Sequence, residues 1–239
     1  MTHVVAIVPA KDRVDLIAAT VTALIELDVI GEVVVVDDAS IDGTGEMARK
    51  AGARVVTLER NLGKGGAVAA GVAASGAPES YLLIDADLGA SATHANILLQ
   101  PLLDDQADMT IGIFPKTGRS RGFGTVKRTA ARLIEKATGR RFIEPLSGQR
   151  GVNGPLMRSL DLADGFGLEV ALTIDAHIAD ARIQEIPAPF SHQPSGRGPK
   201  GIAHRARQCR DVAKASADRL GWRSTLEAMA SGLLRNRAK

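Results

Sequence analysis

Within its first hundred residues the chain alternates short β-branched apolar runs with stretches whose apolar residues recur at helical spacing. This alternation restricts the fold more than any other feature. "VVAIV" (4–8), "EVVVVDD" (32–38), "RVVTLE" (54–59) and "YLLIDAD" (81–87) read as strands. Between them, "VDLIAATVTALIEL" (14–27), "SIDGTGEMARKAG" (40–52) and "GGAVAAGVAAS" (65–75) read as helices, with Asp42 or Thr44 placed to cap the second and Gly52 to end it. Strands joined by crossover helices predict an α/β class with a mostly parallel central sheet flanked by helices. In such sheets ligands sit at the carboxyl ends of the strands, where Asp37, Asp38, Asp85 and Asp87 all fall.

Beyond residue 100 the pattern loosens. "ADMTIGIF" (107–114) reads as a strand, 125–138 as a helix, "GFGLEVALTIDAHIADA" (165–181) as a helix with a mostly apolar face, and "RIQEIPAPF" (182–190) as a short strand ended by prolines. "SHQPSGRGPKG" (191–201) reads as a loop and 202–234 as helical. The expected organisation is one domain over 1–201, with a nucleotide-binding half (1–100) and an acceptor half (101–201), followed by a basic helical tail over 202–239.

Cys209 is the single cysteine, which excludes an internal disulfide framework and the usual thiolate metal clusters. No apolar run approaches the ~20 residues that span a bilayer, and "MTHVVAIVPA" lacks a basic segment with a signal-like core, so a cytoplasmic protein is expected. The formal net charge of +3 hides an asymmetry. From Ser195 to Lys239 there are eleven Lys/Arg against three Asp/Glu, which leaves about −5 for the rest. A phosphorylated substrate or an anionic membrane surface suits such a tail; so does a merely solvated helix face. Nucleic acid ranks last and is not expected, because aromatics make up 3% of the chain and the tail offers only Trp222 for stacking.

Two carboxylates on neighbouring same-face positions of a strand end repel each other. Asp85 and Asp87 therefore suit a divalent cation, Mg²⁺ or Mn²⁺, that bridges a diphosphate. On its own, D-x-D is more commonly a pair of solvated turn or cap residues before a helix, here one starting near Ser91. The context adds "VVVVDDASIDGT" (33–44), a second strand ending in acids, where Asp38 can accept hydrogen bonds from a nucleoside or, with Ser40, cap a helix. It also adds "NLGKGGAVAAG" (61–71), a Gly-rich turn that opens a helix and holds Lys64 near a phosphate-binding helix end. The turn is not G-x-x-x-x-G-K-[ST], since Gly65 follows Lys64. The first strand is followed by "VPAKDR" and not by G-x-G-x-x-G, so NTPase and NAD-dehydrogenase readings lose their main support.

Taken together, V-P-A-K-D after the first strand, V-D-D-A-S-x-D-G-T after the second, and N-x-G-K-G-G-A followed by D-A-D-L resemble the family 2 glycosyltransferases of the GT-A fold. The likeness is strongest to polyprenyl-phosphate (dolichol-phosphate) hexosyltransferases and glucosyl-3-phosphoglycerate synthases. It covers about residues 4–200 and includes "PLSGQRGVNGPLM" (145–157), "GFGLE" (165–169) and "IQEIPAPFSHQPSGRGPKG" (183–201).

The resemblance implies a metal-dependent transfer of a hexosyl group from a nucleotide-diphospho-sugar, UDP-linked in preference to GDP-linked, to a small or lipid-linked acceptor that carries phosphate. Pro9, Ala10, Asp38, Lys64 and Asp85 would bind the nucleotide, and Asp85, Asp87 and His192 the metal. Ser147, Gly148, Gln149, Arg197 and Lys200 would bind sugar and acceptor; Asp87, Arg150 and Glu169 would be catalytic. Glu169 suits either a general base or a helix-end carboxylate, and a histidine in a polar loop such as His192 is more often simply solvated.

Departures from the family pattern are Asp12 and Arg13, where relatives commonly have Asn-Glu, and Gly89, where some have a further metal ligand. The implied partners are the nucleotide-sugar, a phosphate or polyprenyl-phosphate acceptor, peripheral contact of the tail with the inner membrane surface, and a second copy in a homodimer. Two rival readings remain at this point: a sugar-1-phosphate nucleotidyltransferase, although "VPAKDRVD" lacks its Gly- and Arg-rich loop, and a non-enzymatic adaptor that binds anionic surfaces through its tail.

Overall fold

The computed structural model describes residues 3–115, 124–191 and 199–234. Seven strands form one sheet in the order β3-β2-β1-β4-β6-β5-β7. The first four are β1 (Val4–Ala10), β2 (Ile30–Asp37), β3 (Arg54–Thr57) and β4 (Ser80–Leu83). They run parallel and are linked by α1 (Ile17–Ile25), α2 (Thr44–Lys50) and α3 (Gly63–Ala74). After α4 (Asn96–Leu103), β5 (Met109–Ile113) and β7 (Ile183–Pro187) extend the sheet in the same sense. β6 (Arg150–Asn153) is wedged antiparallel between β4 and β5. The sheet is therefore mostly parallel, as the alternating pattern predicts.

The apolar runs divide between two cores because successive strand side chains point to opposite faces. In β2, Val34 and Val36 join one core with Val5 and Ile7, while Val33 and Val35 join the other with Ala6 and Val8. The second core is closed by Ile17, Val21 and Leu24 of α1, Ala48 of α2, and Leu98 and Leu99 of α4. The first is closed by α3, α5 (Gly124–Thr138), α6 (Gly154–Ser159) and α7 (Leu168–Ile178), together with Val212 of α8 (Pro199–Leu220) and Ala228 of α9 (Trp222–Leu234).

Three expectations are corrected. The strand drawn over 81–87 ends at Leu83, so Asp85 and Asp87 lie in the turn that follows and do not share a strand face. The helix drawn from 165 begins at Leu168, after a single 3-10 turn at Gly165–Gly167. Neither Asp42 nor Thr44 is the N-cap of α2. Gly43 holds that position at φ 89°, and the Asp42 carboxylate accepts the Thr44 N–H at 3.0 Å from one residue further out.

The boundary drawn at 201/202 falls inside α8, which is continuous from Pro199. That helix is tied to α7 by Arg219, whose Nε and Nη2 donate to the two oxygens of Asp175 at 2.6 and 2.5 Å; Nη2 also donates to the Asp161 carbonyl at 2.8 Å. One of the eleven basic residues between Ser195 and Lys239 is thus an internal anchor. Among the described residues no helix is long and apolar enough to cross a membrane.

Candidate active site

The loops that leave the carboxyl ends of β1 and β2 are buttoned together. The N–H groups of Asp12, Arg13 and Val14 donate to Ser40 Oγ (3.0 Å), Thr44 Oγ1 (2.7 Å) and an Asp42 oxygen (3.1 Å). In return Asp12 accepts the Ile41 N–H at 3.0 Å, and the Lys11 ammonium donates to the Ala39 carbonyl. Asp12 and Ala39 take positive φ values, 51° and 59°, a backbone region that side chains rarely adopt and that neighbouring contacts must hold in place. Pro9 and Ala10 sit under this lattice in β1, beside Val36 and Asp37 of β2.

Asp38, which is buried, sends both carboxylate oxygens to the Gly-rich turn. It accepts the N–H of Leu62 at 2.6 Å and of Gly63 at 2.9 Å, and so fixes the turn from which α3 starts. Gly63 has φ 73°, and a side chain there would meet Gly165 at 3.3 Å. The glycine spacing of that turn thus serves close packing of α3 against the 3-10 turn.

Lys64, in the first turn of α3, reaches across to Asp85 and Glu169. Its Nζ lies 2.5 Å from Asp85 Oδ1 and 2.8 Å from Glu169 Oε1. Burial works against the ammonium charge, but Asp85 and Glu169 more than offset it and hold Lys64 above the usual lysine range. The other Asp85 oxygen accepts from Gln149 Nε2 at 2.7 Å, and Ser147 Oγ donates to Gln149 Oε1 at 3.3 Å. Gly148 is packed against this cluster, where a Cβ would stand 2.7 and 2.8 Å from the two Asp85 oxygens and against the Lys64 ammonium. Four sequence-predicted residues, Lys64, Asp85, Gln149 and Glu169, are therefore brought into one hydrogen-bonded group. The repulsion expected at Asp85 is met by a lysine of the chain itself.

Asp87 stands apart from that group. Its carboxylate is about a quarter exposed, and Arg13 Nε lies 3.9 Å away. Arg150 is fully buried. Its guanidinium donates to the Ser147 carbonyl (2.9 Å), Thr173 Oγ1 (2.9 Å) and the Pro145 carbonyl (3.3 Å). Burial pushes it down to about 10, partly opposed by Glu169 and Glu185. It remains a cation at neutral pH and braces the 145–147 segment from behind. His192 and Arg197 lie outside the described residues, as does the side chain of Lys200, whose backbone belongs to the first turn of α8.

The pairing of Lys64 with Glu169 and the wedge of Gly148 are absent from the sequence reading. Each joins segments far apart in the chain, α3 with α7 in the first case and, in the second, the turn after β4 with the segment that enters β6, a strand whose residues, "RGVN", carry no strong pattern.

A mostly parallel sheet with one reversed strand, a Gly-rich helix start and an acid-bearing turn after β4 defines a GT-A fold. The family model for glycosyl transferase family 2 matches residues 5–162, and the chain belongs to that family. Glycosyltransferase AglJ of Haloferax volcanii is 31% identical over 169 residues, 69% of this chain and 55% of that protein. Glucosyl-3-phosphoglycerate synthase of Mycolicibacterium paratuberculosis is 28% identical over 192 residues, 71% of this chain and 58% of that protein. The chain thus spans little more than half the length of these curated relatives.

Among solved structures, glucosyl-3-phosphoglycerate synthase from Mycobacterium tuberculosis with phosphoglyceric acid matches at TM-score 0.77 and 25% identity, over 92% of this chain and 80% of that one. The same enzyme with Mn²⁺, UDP-glucose and phosphoglyceric acid matches at TM-score 0.79 and 24% identity, again over 92% and 80%.

Proposed function

We propose that this chain is a metal-dependent glycosyltransferase that moves a hexosyl group from a nucleoside-diphosphate sugar, UDP-linked in preference to GDP-linked, to a small acceptor bearing a phosphate. The observation that carries this reading is the group formed by Lys64, Asp85, Gln149 and Glu169 beside the Asp87 turn, at the strand ends of a family 2 fold. The relatives solved with UDP-glucose, Mn²⁺ and phosphoglyceric acid support the donor, the ion and the acceptor class.

The donor set fits Mg²⁺ or Mn²⁺. Among the described residues no three His, Cys, Asp or Glu side chains gather as a closed metal site. That suits an ion which takes one or two carboxylates and completes its shell with phosphate oxygens and water. Asp87, in the turn after β4, is the carboxylate we assign to it, and Asp85, which accepts from Lys64 and Gln149, stands beside it. A bound ion there would supply charge neutralisation for the departing diphosphate. Pro9, Ala10 and the Asp38-clamped turn would line the nucleoside, and Asp85 would meet the ribose.

Lys64, charged throughout the neutral range, is within reach of the donor phosphates. Glu169, in the first turn of α7, would orient the acceptor oxygen near Ser147, Gly148 and Gln149. Arg150 would act through the 145–147 segment that it braces. Arg197, Lys200 and His192 remain assigned to phosphate and metal by family likeness alone, and residues 1–100 and 101–201 keep their reading as donor and acceptor halves.

Calorimetric titration of UDP and GDP, each with and without Mn²⁺, tests the donor. Tighter Mn²⁺-dependent binding of UDP is expected, and binding of neither nucleotide removes the reading. A transfer screen of UDP-hexoses against three-carbon phosphates and polyprenyl phosphate then tests the acceptor. If the lipid acceptor is the one used, the basic tail should also bring the chain down with vesicles that contain anionic lipid.

A further inference from the structure

Asp87 lies in a turn with no strand pairing on either side, yet a carboxylate that serves a metal must be held within a fraction of an ångström. The residue that spans this turn comes from another element. Thr20, in the middle of α1, is completely buried. Its hydroxyl accepts the Gly89 N–H at 2.9 Å. Its single proton faces the Ala86 carbonyl at 3.0 Å and the Leu16 carbonyl of its own helix at 3.1 Å. Ala86 and Gly89 flank Asp87 and Leu88, so one side chain joins the two ends of the turn.

The packing around that hydroxyl leaves little alternative. Ala86, Leu88 and Ala92 are buried against Ile17, Val21 and Leu24 of α1. No water can take the place of the hydroxyl at a site this closed, and a missing oxygen would leave the Gly89 N–H without its partner. Gly89 takes φ 52°, a backbone region open to glycine, and in it the amide is directed at Thr20. From the loop that leads into α1, Arg13 also places its Nε 3.9 Å from the Asp87 carboxylate.

We infer that Thr20 is a positioning residue: its hydroxyl fixes the 86–89 turn and so sets where the Asp87 carboxylate meets the metal-diphosphate. This rests on the proposed reading that Asp87 serves the ion. Residues behind metal ligands typically cost 10- to 100-fold in metal affinity when lost. Thr20 differs from them in acting through backbone groups on both sides of its ligand.

The test compares Thr20→Val, which keeps the shape and loses the hydroxyl, with Thr20→Ser, which keeps the hydroxyl. UDP affinity is measured by calorimetry with and without Mn²⁺, and the quantity read is the gain that the metal brings. Thr20→Val is expected to cut that gain about 10-fold while leaving metal-free UDP binding within about 2-fold, and Thr20→Ser to restore most of it. In an Asp87→Asn background Thr20→Val should cost nothing further, since two residues acting through one contact are not additive.

Equal loss with and without metal, or no loss in either, would overturn the inference; so would an undiminished cost in the Asp87→Asn background. Should Thr20→Val fail to fold, Thr20→Cys takes its place, and its weak S–H donor should give a value between those of Ser and wild type on one side and full loss on the other. If the wild-type chain shows no metal-dependent gain at all, the reading of Asp87 fails before that of Thr20, which separates the two.

Discussion

The two halves of the sheet hold their site residues by opposite means. On the β1–β4 side, neighbouring loops clasp one another through backbone N–H groups and short side chains: Asp12 with Ser40 and Ile41, Arg13 with Thr44, Asp38 with Leu62 and Gly63. On the β5–β7 side, arginines do the holding, one fully buried and one largely covered. Arg150 props the 145–147 segment and Arg219 ties α8 to α7. The first arrangement leaves Asp85 and Asp87 partly exposed, each about a quarter, at the strand ends. The second uses charge internally, at a desolvation cost that only complete hydrogen bonding offsets. One side is held by clasped loops and the other by arginine braces, and by the proposed reading Asp87 meets a ligand and stands outside this frame.

The sharpest way to break this comparison is Asp87→Ala. It should lower transfer about 10³-fold, as loss of a group that stabilises the leaving charge does, while the midpoint of urea unfolding hardly moves. A large stability loss would show Asp87 to be part of the frame instead.

Gly148→Ala strikes the seam between the halves, because the added methyl occupies the space between Asp85 and Lys64. Displacing that cluster by about 1 Å is expected to cost on the order of 10²-fold in kcat, with a smaller effect on stability. Unchanged kcat would show that the Lys64 contacts are incidental.

Arg150→Met should do the reverse of Asp87→Ala. Removing the buried guanidinium leaves two carbonyls and the Thr173 hydroxyl short of their donor, and about 3 kcal/mol of stability should go. Urea unfolding measures it, and a loss under about 1 kcal/mol would deny Arg150 its bracing role.

The smallest effect sharpens the comparison at the far edge of the sheet. Hydrogen bonds from the Arg182 side chain, opposed by some burial, hold the Asp108 carboxyl below its usual range. A depressed carboxylate contributes stability above its unfolded value, near 3.9, and loses it as pH falls through the lower folded value. Asp108→Asn should therefore destabilise at pH 7 and converge with wild type as pH falls through the carboxyl's lowered folded value. A mutant penalty that stays constant with pH would remove Arg182 as the cause.

Legibility follows the same division. Strands β1 to β3 and the helices between them are readable because their patterns are local: a buried run, a polar cap, a glycine stop. The positions of Asp38 and Asp85 at the ends of apolar runs are readable for the same reason, since each run and its acid are adjacent in the chain. What Asp38 does in the fold, which is to pin the turn before Lys64, is not readable, because its partners are backbone amides of a later loop. The end of β4 was drawn four residues late. Apolar content continued to Ile84, and the turn that interrupts pairing is held by Thr20, a residue from another helix.

The amino-acid order by itself determined that this chain makes a covered, mostly parallel sheet and sets acidic and glycine-rich turns at one rim, since hydrophobic periodicity and turn chemistry act over a few residues. Only the tertiary structure decided which charges face one another: that Lys64 stands between Asp85 and Glu169, that Arg150 is sealed inside, and that Asp87 faces Arg13. Those outcomes depend on the antiparallel insertion of β6 between β4 and β5. Electrostatic and steric contacts across such a joint depend on distance in space, which the spacing of residues along the chain does not encode.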